Sequence, residues 1–348
     1  LDKQTFAFAN DFEAMVDNPP EGLPPNVTGK LAVIFIDGNG FTKKRERCAD
    51  HHSVEEGFKN YRRFCLALER NGGLILAGLL QWMRGEPKFL GKDNGETCLR
   101  FETLLFGGDD VCFVVPAWGG FAFMGKLQEI LAGLRAPVAG QNETPVTYKA
   151  GMVFADHKSP IRDLRRVAES LAYAAKETSG DRNIVQVMAL EGLDRADLDP
   201  QRLRGELFGK NVRDDPGAFG LEGSQWVKIR KTVQQIGDKA GRSQLHKWYA
   251  KAEAEGILKL LGDDPKTDPL KTEEFTKRTQ DFIDKFGKRL GELDVPGDVC
   301  DVLTGKDPLL ASNAARWPLL PLHHVLTLAN YIEAMPLADP QQAGGGGS

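Results

Sequence analysis

The stretch LLFGGDDVCFVVP, Leu104 to Pro116, constrains the fold of this chain more than any other. Two apolar runs flank two glycines and two aspartates, a pattern that predicts two buried strands joined by a tight turn. The turn accounts for the glycines and for one aspartate. A second aspartate beside the first adds like-charge repulsion, which a bound cation would relieve. LAVIFI, Leu31–Ile36, is a continuous apolar run rich in β-branched residues and predicts another buried strand, ended by DGNG.

Helical spacing fills the intervals. Val54, Phe58, Tyr61, Cys65 and Leu68 predict a helix behind Ser53 as N-cap. The stretch from Gly72 to Cys98 carries no decisive signal, and a short helix plus a glycine-rich loop accommodates it. GGFAFMGKLQEILAGL is a helix, VTYKAGMVFA a strand with small residues at its middle, and NIVQVMAL a last strand. SPIRDLRRVAESLAYAAKE is the best-marked helix. Ser159 caps it, Pro160 opens it, and Ile161, Leu164, Val167, Ala168, Leu171, Ala174 and Ala175 form one apolar stripe. The order β-α-β-β-α-β-α-β is a ferredoxin-like arrangement with an added helix and strand.

Beyond Gly223 the pattern is helical: SQWVKIRKTVQQI, RSQLHKWYAKAEAEGILKLL, KTEEFTKRTQDFIDKFGKRL and PLHHVLTLANYIEAM, separated by Gly, Pro and Asp signals. The fold class is therefore α+β, a ferredoxin-like domain followed by an α-helical bundle. The expected divisions are a lead-in over 1–29, the α+β domain over 30–192, the helical domain over 193–338 and a linker-like tail over 339–348 that ends GGGGS. The start at Leu1 gives the expectation that something upstream has been removed. A length of 348 residues suits two domains. The net charge of −4, from 45 basic and 49 acidic residues, argues against a general nucleic-acid coat but leaves room for a local basic groove. Five scattered cysteines without a CxxC indicate neither a zinc ribbon nor a disulfide framework, so reduced cytoplasmic thiols are expected. The longest apolar runs are too short to span a bilayer, and no membrane partner is expected.

In a ferredoxin-like sheet the first strand lies beside the hairpin made by the next two. Asp37 and the tip carrying Asp109 and Asp110 then converge on one sheet edge. Hard oxygen donors that leave room for water and phosphate suit two Mg²⁺ or Mn²⁺ ions, the requirement of two-metal phosphoryl transfer. A turn breaks strand alternation, so the sequence does not say which of Asp109 and Asp110 is the ligand. Taken singly, GGDD is an ordinary solvated turn and DGNG an ordinary loop; their combination in this strand order carries the reading.

IDGNGF, FGGDD and ESLAYAAKETSGDRN together resemble the GGDEF/CRISPR-polymerase palm superfamily, over about Leu31–Leu190. This superfamily includes the diguanylate cyclases and the large polymerase-like subunit of type III CRISPR effectors. The GGDD form is closer to the CRISPR polymerases. The resemblance implies a palm that makes cyclic oligo- or dinucleotide messengers from nucleoside triphosphates, ATP first, in antiviral signalling. It implies metal binding by Asp37, the Gly38 carbonyl and Asp110, with Asp109 beside them and the three aspartates catalytic. It also implies nucleotide contacts from Gly38, Asn39, Gly40, Phe41, Gly107, Gly108, Lys176 and Arg182. Among these, Lys176 matches the family's triphosphate lysine, and Phe41 is expected to pack rather than touch substrate. The rival readings are a templated polymerase, a mononucleotide cyclase or a non-catalytic nucleotide-binding scaffold. The positions just before the GGDD, where the diguanylate cyclases carry RxxD, read TLLF; no HD dipeptide occurs, and one GGDD palm is present. Joining two nucleotides then needs a homodimer or a larger complex.

Other residues carry weaker signals. Lys43, Lys44, Arg45 and Arg47 face a triphosphate or simply form a solvated helix face, with equal weight. His51, His52, His157, His323 and His324 lack ligand-spaced partners and fit surface, turn or core roles. WVKIRK and KFGKR in the helical region are candidate RNA or protein contacts, although helix-surface lysines ordinarily meet only water.

Overall fold

The computed structural model describes residues 7–21, 23, 27–138, 143–176, 180–190, 199–208, 216–237, 242–254, 269–310 and 320–332. The expected boundary at 192–193 and the tail over 339–348 lie outside these residues. Eleven strands are described: β1 (Ala7–Phe8), β2 (Lys30–Gly38), β3 (Leu90–Asp93), β4 (Glu96–Leu99), β5 (Glu102–Gly107), β6 (Asp110–Pro116), β7 (Arg135–Pro137), β8 (Glu143–Pro145), β9 (Tyr148–Asp156), β10 (Ile184–Ala189) and β11 (Leu221–Glu222). The helices of the α+β part are α1 (Phe12–Val16), α2 (Phe41–Ala49), α3 (Val54–Arg84), α4 (Ala117–Ala132) and α5 (Ile161–Lys176). Those of the C-terminal part are α6 (Pro200–Phe208), α7 (Gly223–Gly237), α8 (Arg242–Ala254), α9 (Pro269–Glu292), α10 (Gly297–Leu303) and α11 (Leu320–Ile332).

The main sheet has the order β11-β10-β9-β2-β6-β5. Its β9-β2-β6-β5 portion, antiparallel throughout, is the ferredoxin-like sheet. The added helix α5 returns the chain so that β10 pairs parallel with β9. β2 is central and buried along nearly its whole length, which is why it is a continuous apolar run rather than an alternating one. Helices cover both faces. On one, α5 lies so close to β9 that a Cβ at Gly151 would stand 1.9 Å from the Ala168 carbonyl oxygen. On the other, α4 packs Gly120 against Ala32 and Phe154. Ala32 is paired with Phe154 and Phe35 with Gly151, so the two helices meet opposite pleats of the same strand pair.

Two segments differ from the sequence reading. α3 runs unbroken from Val54 to Arg84, through Gly72 and Gly73. A Cβ at Gly72 would lie 3.3 Å from Phe106, and one at Gly78 would lie 3.0 Å from Ile130. The buried side of α3 is Phe64, Ala67, Leu68, Asn71, Ile75, Leu79 and Met83, whereas Val54, Phe58 and Tyr61 are exposed. After α3 comes a β-hairpin rather than a loop: β3 and β4 turn at Asn94 and Gly95, both in the left-handed region, and β1 adds parallel to β4.

The C-terminal helices continue the same core. Trp226 of α7 stacks on Phe121 of α4 with ring centroids 3.9 Å apart, and Tyr331 of α11 stacks on Phe154 of β9 at 3.8 Å. His324 of α11 is a core residue, and His323 is half-buried, its Nδ1 2.9 Å from the Tyr249 hydroxyl. His157 sits in a turn, its Nδ1 2.7 Å from the Gly29 carbonyl, and His51 Nδ1 accepts from the Ser53 amide. None of the five cysteines is in a disulfide. Among the described residues, no helix is long and apolar enough to cross a membrane.

Candidate active site

The site forms where β2 ends and the β5–β6 hairpin turns. Gly107 pairs with Asp110, leaving Gly108 and Asp109 as a two-residue turn, with Gly108 at φ +61°. The last register pair between β2 and β6 is Ile36 with Val111. One step further sets Asp37 opposite Asp110. Asp110 shares a pleat with Cys112, the partner of Phe35, and therefore faces α5 as Asp37 does. The two carboxylates are within hydrogen-bonding reach of each other.

Asp37 is 6% exposed. Lys176, the last residue of α5, forms an ion pair with its Oδ2, and the same ammonium lies 5.1 Å from the centre of the Tyr173 ring. That buried oxygen has no hydrogen bond of acceptable geometry, so Lys176 neutralises it without a directed bond. Asp110 is pushed up to about 6, first by burial, then by its hydrogen bond to Asp37 and by the charges of Asp37 and Asp109; Lys176 opposes them.

Asp109 points elsewhere. Both its oxygens accept from Arg45 Nη2 at 3.1 Å, which holds it on the α2 side of the turn. Among the described residues, no three His, Cys, Asp or Glu side chains come together as a metal cage. The expected convergence of three carboxylates is therefore a pair, Asp37 and Asp110, with Asp109 held aside by a cation. The pair still fits a hard divalent cation: two acidic oxygen donors share one place.

The glycine-rich segment after Asp37 shapes the edge. A Cβ on Gly38 would lie 2.3 Å from the Phe41 ring. Phe41 is buried edge-on against Phe64 and Tyr148, the packing role expected of it, and its ring does not reach the surface. Gly40, at φ +65°, precedes the first residue of α2, and Gly40, Gly107 and Gly108 all face open space. The Asn39 side chain donates to the Gly180 carbonyl at 2.9 Å and to Thr147 Oγ1 at 3.2 Å. It thereby ties the strand end to the loop after α5. Arg182 in that loop pairs with Glu222 of β11 and not with the carboxylate pair. Of the basic cluster, Arg45 takes Asp109, while Lys44 reaches Asp181 and the Asn39 carbonyl. Lys43 and Arg47 are exposed.

Lys149 lies outside the expected site residues. It is fully buried in β9, pairs in register with Asp37, and donates to the carbonyls of Arg182 at 2.8 Å and Gly180 at 3.3 Å. Burial draws it down to about 8. A lone lysine inside the apolar run VTYKAGMVFA was the available signal.

Residues 89–186 match the family described as Cas10/Cmr2, second palm domain. The matched segment contains Asp109, Asp110, Lys176 and Arg182 and begins after Asp37, so the resemblance to CRISPR-polymerase palms holds over its GGDD half. No curated protein matches the chain. Among solved structures, Csm1 from T. onnurineus is 16% identical, with a TM-score of 0.49, over 94% of this chain and 41% of its own. The chain thus spans less than half the length of that Csm1. A Csm1–Csm4 cassette in complex with one ATP is 16% identical over 93% of this chain and 40% of its own, at 0.48. The GGDEF domain of PA1120 (TpbB or YfiN) from Pseudomonas aeruginosa PAO1 is 15% identical over 51% of this chain and 83% of its own, at 0.30.

Proposed function

We propose that this chain is a metal-dependent nucleotidyltransferase that joins nucleoside triphosphates, ATP first among them, into cyclic di- or oligonucleotide messengers of antiviral defence. One observation carries the proposal: Asp37 and Asp110 face each other across the β2–β6 pair under the end of α5, with Lys176 ion-paired to Asp37. Two Mg²⁺ or Mn²⁺ ions bound there would acidify the attacking hydroxyl and offset the charge of the triphosphate. Asp37, Asp110 and the Gly38 carbonyl are the groups that would hold them. Lys176 ends α5 on a flexible stem, and it exchanges Asp37 for a phosphate oxygen when nucleotide arrives. In the reaction a ribose hydroxyl bonds to the α-phosphorus of a second nucleotide and gives up its proton to solvent. The bond from that phosphorus to the β-phosphate oxygen breaks, and pyrophosphate leaves with the electron pair.

One palm holds one triphosphate, so the active form is a homodimer or part of a larger complex. The internal neutralisation of Asp109 by Arg45 and of Asp37 by Lys176 favours a second reading, a palm that binds nucleotide without turnover. Incubation with each NTP and Mn²⁺, followed by mass spectrometry, separates the two. Pyrophosphate and a cyclic product from at least one NTP, lost in Asp110→Asn, is the expected result. Intact NTP in every reaction overturns the transferase reading.

A further inference from the structure

The WVKIRK motif, Trp226 to Lys231, meets α3 and α4 at a cavity of about 870 Å³. This cavity is not part of the carboxylate site. α4 begins where β6 ends, at Pro116, and the length of β6 from Asp110 to Pro116 separates the two places by roughly 20 Å at about 3.3 Å per residue. The volume lies in the range of small-molecule sites.

Its charges are unevenly matched. Lys88, Arg100, Lys126 and Arg230 line it against only Glu86 and Glu129. Arg100 is fully committed to the wall, donating to the carbonyls of Met15, Asp17, Asn18 and Leu90. Lys126 is paired with Glu129 at 2.9 Å. That leaves Lys88 and Arg230 to share Glu86. Lys88 reaches it at 3.3 Å, and Arg230, half-buried, makes no hydrogen bond or ion pair among the described residues. Burial draws both cations below their ordinary range, and the charge of Arg230 lowers Lys88 further. Two desolvated cations with one carboxylate between them form a place for an anion.

The remaining wall is aromatic and rigid. Trp226 and Phe121 are stacked, and the Trp226 indole donates to the Phe121 carbonyl at 3.2 Å. Trp82 is half-buried and leaves part of its ring to the cavity, with Lys88 5.6 Å from its centre. Trp118 fixes the Lys88 backbone by donating to its carbonyl at 3.1 Å. A flat ring beside a preset pair of cations suits a planar group that carries phosphate.

We propose that this cavity is a second nucleotide site, taking the phosphate between Lys88 and Arg230 and the base against Trp82. The same chemistry is offered by a free mononucleotide and by the terminal nucleotide of a single-stranded RNA. The test uses the full chain carrying Asp37→Asn and Asp110→Asn, in EDTA, so that the carboxylate pair holds no metal. Titration calorimetry with AMP should show one site, with adenosine and inorganic phosphate each at least tenfold weaker. Arg230→Gln should weaken AMP at least tenfold. Val227→Trp, at a rim position that is 51% exposed, should block AMP while leaving every charge in place. A 5′-phosphorylated oligoadenylate that binds tighter than AMP identifies the RNA end as occupant; equal or weaker binding identifies the free nucleotide. Absence of AMP binding, or AMP binding unchanged by both Arg230→Gln and Val227→Trp, overturns the proposal. No turnover is read, so either result leaves the transferase reading standing on its own experiment.

Discussion

Asp110→Asn should stabilise the metal-free protein at pH 8 and leave its stability unchanged at pH 4. In the folded chain Asp110 titrates near 6 instead of its ordinary 3.8, because burial and the two neighbouring aspartates disfavour its ionised form. An acid with a higher pKa folded than unfolded holds more protons in the folded state between those two values. Stability therefore falls as pH rises from about 4 to about 6 and stays lowered above it. The gap between 3.8 and about 6 corresponds to about 3 kcal/mol if none of it is screened. Asp110 is only half-buried, and solvent screening reduces the figure to about 1–1.5 kcal/mol. Asn keeps the shape and the hydrogen bond to Asp37 and removes the charge. Urea unfolding in EDTA at pH 8 and at pH 4 reads both values directly. A second arm adds Mg²⁺ at about one hundred times its dissociation constant, where binding to the folded state alone contributes about 2.7 kcal/mol. That gain should appear in the wild type at pH 8 and shrink in the variant. A variant less stable than wild type at pH 8, or equally stabilised at both pH values, would refute the assignment of Asp110 as a strained member of a carboxylate pair.

Lys176→Met should lower stability by about 1–3 kcal/mol at pH 8 and by less at pH 5, since the buried Asp37 loses its cation and the pair can protonate in compensation; in the proposed reaction Lys176→Ala should cut pyrophosphate release tens of times, with Lys176→Arg restoring only part. His323 is drawn down to about 3 by burial and by Arg204, and His324 well below its ordinary range by burial, by His323 and by Arg204. The unfolded chain takes up protons at these histidines below about 6.5 and the folded chain does not, so stability should fall on acidification by about 2 kcal/mol per histidine at pH 5, and His324→Leu should flatten that dependence in urea titrations. Gly38→Ala would drive a methyl group to 2.3 Å from the Phe41 ring and should cost about 1–3 kcal/mol in thermal or urea unfolding; a neutral effect would show that the strand end can shift freely.

The main sheet could be read from the sequence because its central strands are buried on both faces and therefore written as unbroken apolar runs. The β3–β4 hairpin could not, although KDNGET contains the Asn-Gly pair that its turn uses. Its strands are four residues each and partly exposed, too short and too polar for either periodicity to register. The long helix α3 shows the opposite failure. Two adjacent glycines are a stop signal by propensity, yet the helix runs through them, with Gly72 close to the Phe106 ring and Gly73 facing open space. The exposed trio Val54, Phe58 and Tyr61 satisfied helical spacing as well as the buried side did, so period alone could not choose between them.

The ambiguity between Asp109 and Asp110 has a more specific origin. Both belong to one turn motif, and local pattern treats them alike, since the turn interrupts the alternation that would assign each to a face. What separates them is the register of β6 against β2, fixed by burial of the pairs from Leu31–Pro116 to Ile36–Val111. Extending that register by one pair sets Asp110 opposite Asp37 on the pleat that α5 covers, and the next residue back falls in the turn, where Arg45 of α2 takes it. A shift by a single residue would put Asp109 opposite Asp37 and would also turn every apolar side chain of β6 to the other face. The register of β6 against β2 therefore decides which aspartate joins the site. Arg45, 64 residues from Asp109 in the chain, follows from that choice and leaves no mark in the sequence near the aspartates.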